Sequence, residues 1–124
     1  MKIQELAEKV TNAIEEQFGS VDECCTLANR SIWELCRKIG QEGRLIRIDG
    51  YVCSEGEEFA HEWAEFDGET VDATARQFAG EIGYVGEEAD WPRLSETEMA
   101  EVRGIVDAVC RELSADALAE YMEA

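Results

Sequence analysis

The stretch that decides the fold is His61-Glu62-Trp63-Ala64-Glu65-Phe66-Asp67-Gly68-Glu69-Thr70-Val71-Asp72. Asp67-Gly68 favours a two-residue hairpin turn, because a type I′ turn needs a positive φ at both positions. We therefore predict an antiparallel hairpin of residues 59–66 and 69–74. In that register His61 and Asp72 are diagonal neighbours on one face of the sheet, roughly 7–8 Å apart at Cα.

A histidine held by a carboxylate on the neighbouring strand is the base half of a nucleophilic triad. The chain has one histidine, so His61 is the only imidazole available for such a site. Of the five cysteines, only Cys24 and Cys25 fall at the start of a predicted helix, where the helix dipole favours a thiolate. Cys25 continues the inward stripe of that helix, and Cys24 lies about 100° around it, so both cannot serve.

Outside the hairpin, apolar residues at helical spacing predict a helix over residues 3–18. Ser20 and Glu23 form a capping-box pattern, which predicts a second helix that ends at Gly40. A strand is predicted from Arg44, with a bulge or bend at Gly50. Residues 79–93 are predicted to be irregular, with a short strand at 82–85. A helix is predicted after the capping box Ser95–Glu98, and a terminal helix capped by Ser114 follows it. Helices segregated from a small antiparallel sheet predict an α+β fold, in a single domain over residues 1–124.

The composition limits the classes of partner. The 124 residues contain 29 acids and 11 bases, which gives a net charge of −18. No cluster of bases along the chain could contact phosphates or an anionic membrane, so we expect neither nucleic-acid nor membrane binding. A basic protein or peptide would be attracted by the acidic surface. The odd number of cysteines and the lack of a signal-peptide pattern predict reduced thiols and a cytoplasmic location.

The sequence contains no recognisable metal or cofactor motif. The cysteines include no Cys-x-x-Cys pair of the kind that usually sets a zinc site. Phosphate-loop and dinucleotide-binding motifs are also missing from the sequence. We therefore expect no metal and no cofactor.

A set of motifs follows in a characteristic order: Cys25 at a helix start, Arg37 and Gly40 at its end, Gly50-Tyr51 on a strand, His61-x-Trp63-x-Glu65 on the next and Asp72-x-Thr74 on a third. This order resembles the transglutaminase-like branch of the papain-like cysteine enzymes, and the tail over residues 72–78 is similar to small bacterial and phage proteins of that fold. The resemblance implies a papain-like core with N-terminal helices packed on a small sheet and a C-terminal helix. It also implies Cys25 as nucleophile, His61 as base and Asp72 as the acid that orients the base.

Two functions follow from this reading. The first is a cysteine-dependent acyl-transfer enzyme acting on an amide or peptide carbonyl, whether protease, deamidase or transglutaminase-like. In that enzyme we expect Trp63 and Gln77 to line the site or contact substrate. We expect the side chain of Gln17 and the backbone N–H of Cys25 to donate hydrogen bonds to the oxyanion. The second is an inert scaffold of the same fold, acting as an acidic binding protein, inhibitor or decoy. The acids that precede the thiol, Asp22-Glu23, favour the second reading because negative charge opposes a thiolate.

Overall fold

The computed structural model describes residues 2–123 and has an α+β architecture of four helices and four antiparallel strands. Two short 3₁₀ turns cover Glu42–Arg44 and Ala75–Gln77. The helices are α1 Lys2–Phe18, α2 Cys25–Lys38, α3 Glu96–Cys110 and α4 Ala115–Glu120, and the strands are β1 Leu45–Ser54, β2 Glu57–Phe66, β3 Glu69–Val71 and β4 Ile82–Ala89. No helix within residues 2–123 is both long and apolar enough to cross a membrane.

The four strands lie in the order β3-β2-β1-β4. The β2–β3 turn has φ of 52° at Asp67 and 84° at Gly68, and Phe66 pairs with Glu69, so the predicted hairpin turn is confirmed. The ladder ends where Ala64 pairs with Val71, which leaves β3 shorter than predicted. Residues 72–74 therefore lie beyond the strand, at the start of a tight loop.

Gly50 occupies a regular position in β1, where a bulge or bend was predicted. It pairs with His61 on one side and with Gly86 on the other. A Cβ at position 50 would lie 2.2 Å from the carbonyl oxygen of Val85, so only glycine permits this approach of β4 to β1. The strand β4 is also longer than the predicted segment of residues 82–85.

The main core lies between the helices and the sheet, and α2 packs against α1, α3 and β2. Its fully buried side chains include Leu6, Val10, Ile14, Ile32, Leu35, Val71 and Ile105. A second cluster surrounds Trp63, on the strand face that carries His61, and contains Ile48, Val52, Phe78, Ile82 and Tyr84. Because successive strand residues point to opposite faces, the sheet contributes to both clusters.

Candidate active site

His61 and Asp72 are hydrogen bonded across the hairpin. The Nε2 atom of His61 lies 2.8 Å from Oδ2 of Asp72, and the two side chains are only 2% and 3% exposed. The two residues are eleven positions apart in the chain, and the Asp67-Gly68 turn brings them together. The two groups predicted to be neighbours are therefore in direct contact, although Asp72 lies just beyond β3 and not on a paired strand.

Asp72 accepts further hydrogen bonds that fix its orientation. Its Oδ1 accepts from the backbone N–H of Thr74 at 3.0 Å and from the hydroxyl of Thr74 at 3.1 Å. Its Oδ2 also accepts from the hydroxyl of Tyr84 at 3.0 Å. These donors, together with His61, hold the carboxylate of Asp72 in a single orientation.

Tyr84 is a member of the site that sequence reasoning missed. It lies on β4, within the short strand predicted at residues 82–85, but it reaches Asp72 only because β4 pairs with β1. Burial raises the pKa of Tyr84 well above its usual range, and the neighbouring Asp72 charge raises it further. The phenol therefore stays protonated and remains a hydrogen-bond donor to the carboxylate.

Cys25 is the first residue of α2, and it lies near enough to the imidazole of His61 to raise the pKa of that ring. Because Nε2 is bonded to Asp72, Nδ1 is the ring nitrogen left for the thiol. Burial by itself would lower the pKa of His61, but hydrogen bonding to Asp72 and to Cys25 outweighs burial and raises the pKa to about 9. At neutral pH the imidazole is therefore protonated.

The start of α2 differs from the predicted capping box. The helix begins at Cys25, with Cys24 as N-cap, and no side chain in the described part of the chain caps it. Ser20 instead accepts the N–H of Asp22 at 2.9 Å, and Glu23 adopts a positive φ of 59°. This turn shortens the helix and places the thiol of Cys25 in its first turn, where the N–H groups have no acceptor within the helix.

The neighbouring Cys24 has a different environment. Burial raises its pKa first, and the charges of Cys25, Glu101, Asp22 and Glu23 raise it further. Its thiol lies 3.4 Å from the carbonyl oxygen of Asp22, within the loop. The acids that precede the cysteine pair therefore act against a thiolate at Cys24.

Aromatic side chains enclose the imidazole. Trp63 stacks on His61 with ring centroids 5.9 Å apart, and Phe78 meets the same ring edge-on at 4.9 Å. Tyr84 packs on the other side of Trp63 at 5.0 Å. These rings exclude water around the His61–Asp72 pair, which strengthens its hydrogen bond.

The two glutamines predicted for the site are in different places. Gln17 donates its Nε2 to the carbonyl oxygen of Gly104 on α3 at 3.2 Å, so this amide is engaged with α3 in the structure. Gln77 lies in the loop after Asp72, and its Oε1 accepts the backbone N–H of Glu23 at 3.5 Å. Its Nε2 is buried with no hydrogen-bond partner among the described residues.

A groove of about 500 Å³ separates α2 from α3. Its polar lining consists of the bases Arg30, Arg37, Lys38 and Arg103 and the acids Glu34 and Asp107. The bases are scattered in the sequence and meet only in the folded chain. Glu34 offsets part of their charge by pairing with Arg30 and Arg37. Within residues 2–123, no group of three or more histidine, cysteine or acidic side chains is arranged to hold a metal ion.

Comparison with known proteins does not extend this description. No protein-family model matches the chain, and no match is found among the curated proteins or the solved structures.

Proposed function

We propose that the protein is a cysteine-dependent acyl-transfer enzyme with a papain-like, transglutaminase-like core. The observation that carries the proposal is the position of His61, which is hydrogen bonded to the buried Asp72 and has its pKa raised by the nearby Cys25 at the start of α2. A nucleophile, a base and an orienting carboxylate in that order are the requirements of covalent acyl transfer.

In the proposed reaction the Cys25 thiolate attacks the carbonyl carbon of an amide or peptide. The tetrahedral intermediate collapses when the C–N bond breaks, and the imidazolium of His61 donates its proton to the departing amine. The neutral imidazole then takes a proton from water, or from an acceptor amine, which attacks the thioester and releases Cys25. Asp72 holds the imidazole in position and stabilises its charge in both steps.

Two donors are available for the oxyanion. The first is the N–H of Cys25, which lies in the uncapped first turn of α2. The second is Nε2 of Gln77, which is buried without a partner while its Oε1 is held by the N–H of Glu23. A donor prepared for a developing negative charge contributes more to a transition state than to the ground state.

The alternative is an inert scaffold that binds a basic protein as inhibitor or decoy. It is favoured by the acids around Cys24, which extend to the start of α2. It predicts that Cys25 has the reactivity of an ordinary thiol. The same experiment therefore tests both functions.

Iodoacetamide labelling across pH, read by mass spectrometry, is that experiment. We expect Cys25 to be labelled near pH 6, ahead of the other four cysteines, because the His61 imidazolium favours its thiolate. Cys24→Ala, the matched control for Cys25→Ala, should leave this early labelling intact. Turnover of an amide substrate should fall above pH 9, where His61 loses its proton, while labelling continues. Uniform labelling of all five cysteines with an ordinary pH profile would contradict the enzyme and favour the inert scaffold.

All five cysteines are free thiols. A thiol nucleophile needs a reducing environment to remain active, so the proposed activity fits a cytoplasmic protein.

A further inference from the structure

A groove of about 460 Å³ lies beside the proposed catalytic residues. It is bounded by the loop before α2, the β1–β2 turn and the loop after Asp72. Two of its lining residues connect it to the site, since Phe78 contacts the ring of His61 and Gln77 accepts the N–H of Glu23. A molecule in this groove therefore lies next to the start of α2.

The lining of the groove has the chemistry of a cation site. Its charged side chains are Asp22, Glu55 and Glu57, and no base lines it among the described residues. Within residues 2–123, none of these three carboxylates forms an ion pair. Phe59 is 39% exposed and packs at 5.5 Å against Phe78, which supplies an aromatic wall. Carboxylates beside an aromatic face attract guanidinium and ammonium groups.

The amide of Gln77 is a second and independent indication of a ligand. Its Nε2 is buried without a hydrogen-bond partner, which costs free energy in the folded protein. Gln77 also lines the groove, so a carbonyl oxygen that enters there can satisfy the donor. The groove thus provides for a carbonyl oxygen as well as a cation, and a peptide with a basic side chain carries both groups.

We propose that this groove binds the cationic side chain of a peptide substrate, of the arginine or lysine type, while Gln77 orients the carbonyl that Cys25 attacks. This inference rests on the proposed function and specifies its substrate class.

The test uses protection of Cys25 from iodoacetamide, which is a neutral reagent. Benzoyl-arginine amide is the cationic probe, and benzoyl-citrulline amide is its neutral counterpart of nearly the same shape. We expect the arginine amide to protect Cys25 at a concentration about tenfold lower than the citrulline amide, since each carboxylate contributes a modest surface attraction. In Glu55→Gln/Glu57→Gln the preference should fall to about twofold, because two of the three carboxylates that attract the arginine side chain are lost.

A matched variant controls for the overall charge. Glu16 and Glu120 are exposed and lie outside the groove, so Glu16→Gln/Glu120→Gln makes the same change in net charge. We expect this variant to keep the full preference. Equal protection by the two amides, protection by neither, or a preference that survives in Glu55→Gln/Glu57→Gln overturns the groove proposal and leaves the catalytic proposal standing. If Cys25 is not labelled ahead of the other cysteines without any amide, both proposals fail.

Discussion

Replacement of Asp72 by asparagine tests the electrostatics of the site most directly. Burial opposes the charge on His61, and hydrogen bonding to Asp72 is the first of the interactions that overcome burial and raise the pKa to about 9. Asparagine keeps the size of the side chain but removes its charge, so burial should dominate. We expect the pKa of His61 to fall below its ordinary value of 6.5 in Asp72→Asn.

The magnitude follows from the two pKa values. The interval from 6.5 to about 9 corresponds to roughly 3 kcal/mol at 1.36 kcal/mol per pKa unit. Because the pKa is raised in the folded protein, this stabilisation is fully present below pH 6.5 and is lost as the pH rises through about 9. The free energy of unfolding, measured in urea, should therefore differ more between pH 6 and pH 9.5 for the wild type than for Asp72→Asn.

The assay benefits from the fact that His61 is the only histidine in the chain. Its two carbon-bound ring protons give the only histidine signals in an NMR spectrum, and the midpoint of their titration is the pKa of His61. Asp49→Asn, which removes an exposed carboxylate paired with Arg47, is the control and should leave the midpoint near 9. A midpoint that stays above about 8 in Asp72→Asn would show that the Asp72 carboxylate does not hold the imidazolium, and the reasoning would be wrong.

Two further substitutions test the surroundings of the site. In Gly86→Ala the new Cβ would lie 2.8 Å from the Cη2 atom of Trp63. We therefore expect the free energy of unfolding, measured by thermal unfolding, to fall by about 1–3 kcal/mol. A variant as stable as the wild type would contradict the tight packing of β4. Gln77→Ala should lower kcat for an amide substrate by about 100-fold with the early labelling of Cys25 retained, as expected for a lost oxyanion donor. Gln17→Ala is its control and should keep wild-type turnover, since Gln17 is bonded to α3; equal losses in the two variants would refute the assignment.

Local interactions account for the parts of the fold that the sequence predicts well. The Asp67-Gly68 turn depends on two positive φ angles, and these residues adopt them at little cost. The capping box of Ser95 and Glu98 forms as predicted, with both of its hydrogen bonds present. Ser114 likewise caps α4 by accepting the N–H of Ala117 at 3.1 Å. Each of these features joins residues within three positions, so the sequence alone contains the information.

The remaining features depend on contacts between distant segments. Tyr84 reaches Asp72 only through the pairing of β4 with β1, and nothing around residue 84 in the sequence indicates that partner. Whether Gln17 or Gln77 is the better candidate for the oxyanion donor depends on which loop lies against the start of α2. That contact is between segments far apart in the chain. The pattern at Ser20 failed for a local reason, because its hydroxyl accepts a nearer N–H and forms a turn in place of the cap.

The hairpin that joins His61 to Asp72 also bears on how the protein folds. Contacts between residues close in the chain require only a small loop to close and can form early, whereas a contact between α2 and the sheet needs a larger part of the chain to be ordered. The contact between the imidazole and the carboxylate thus depends on one hairpin, whereas Cys25 comes near it only once α2 has docked. A chain in which α2 is undocked would lack the thiol beside the imidazole.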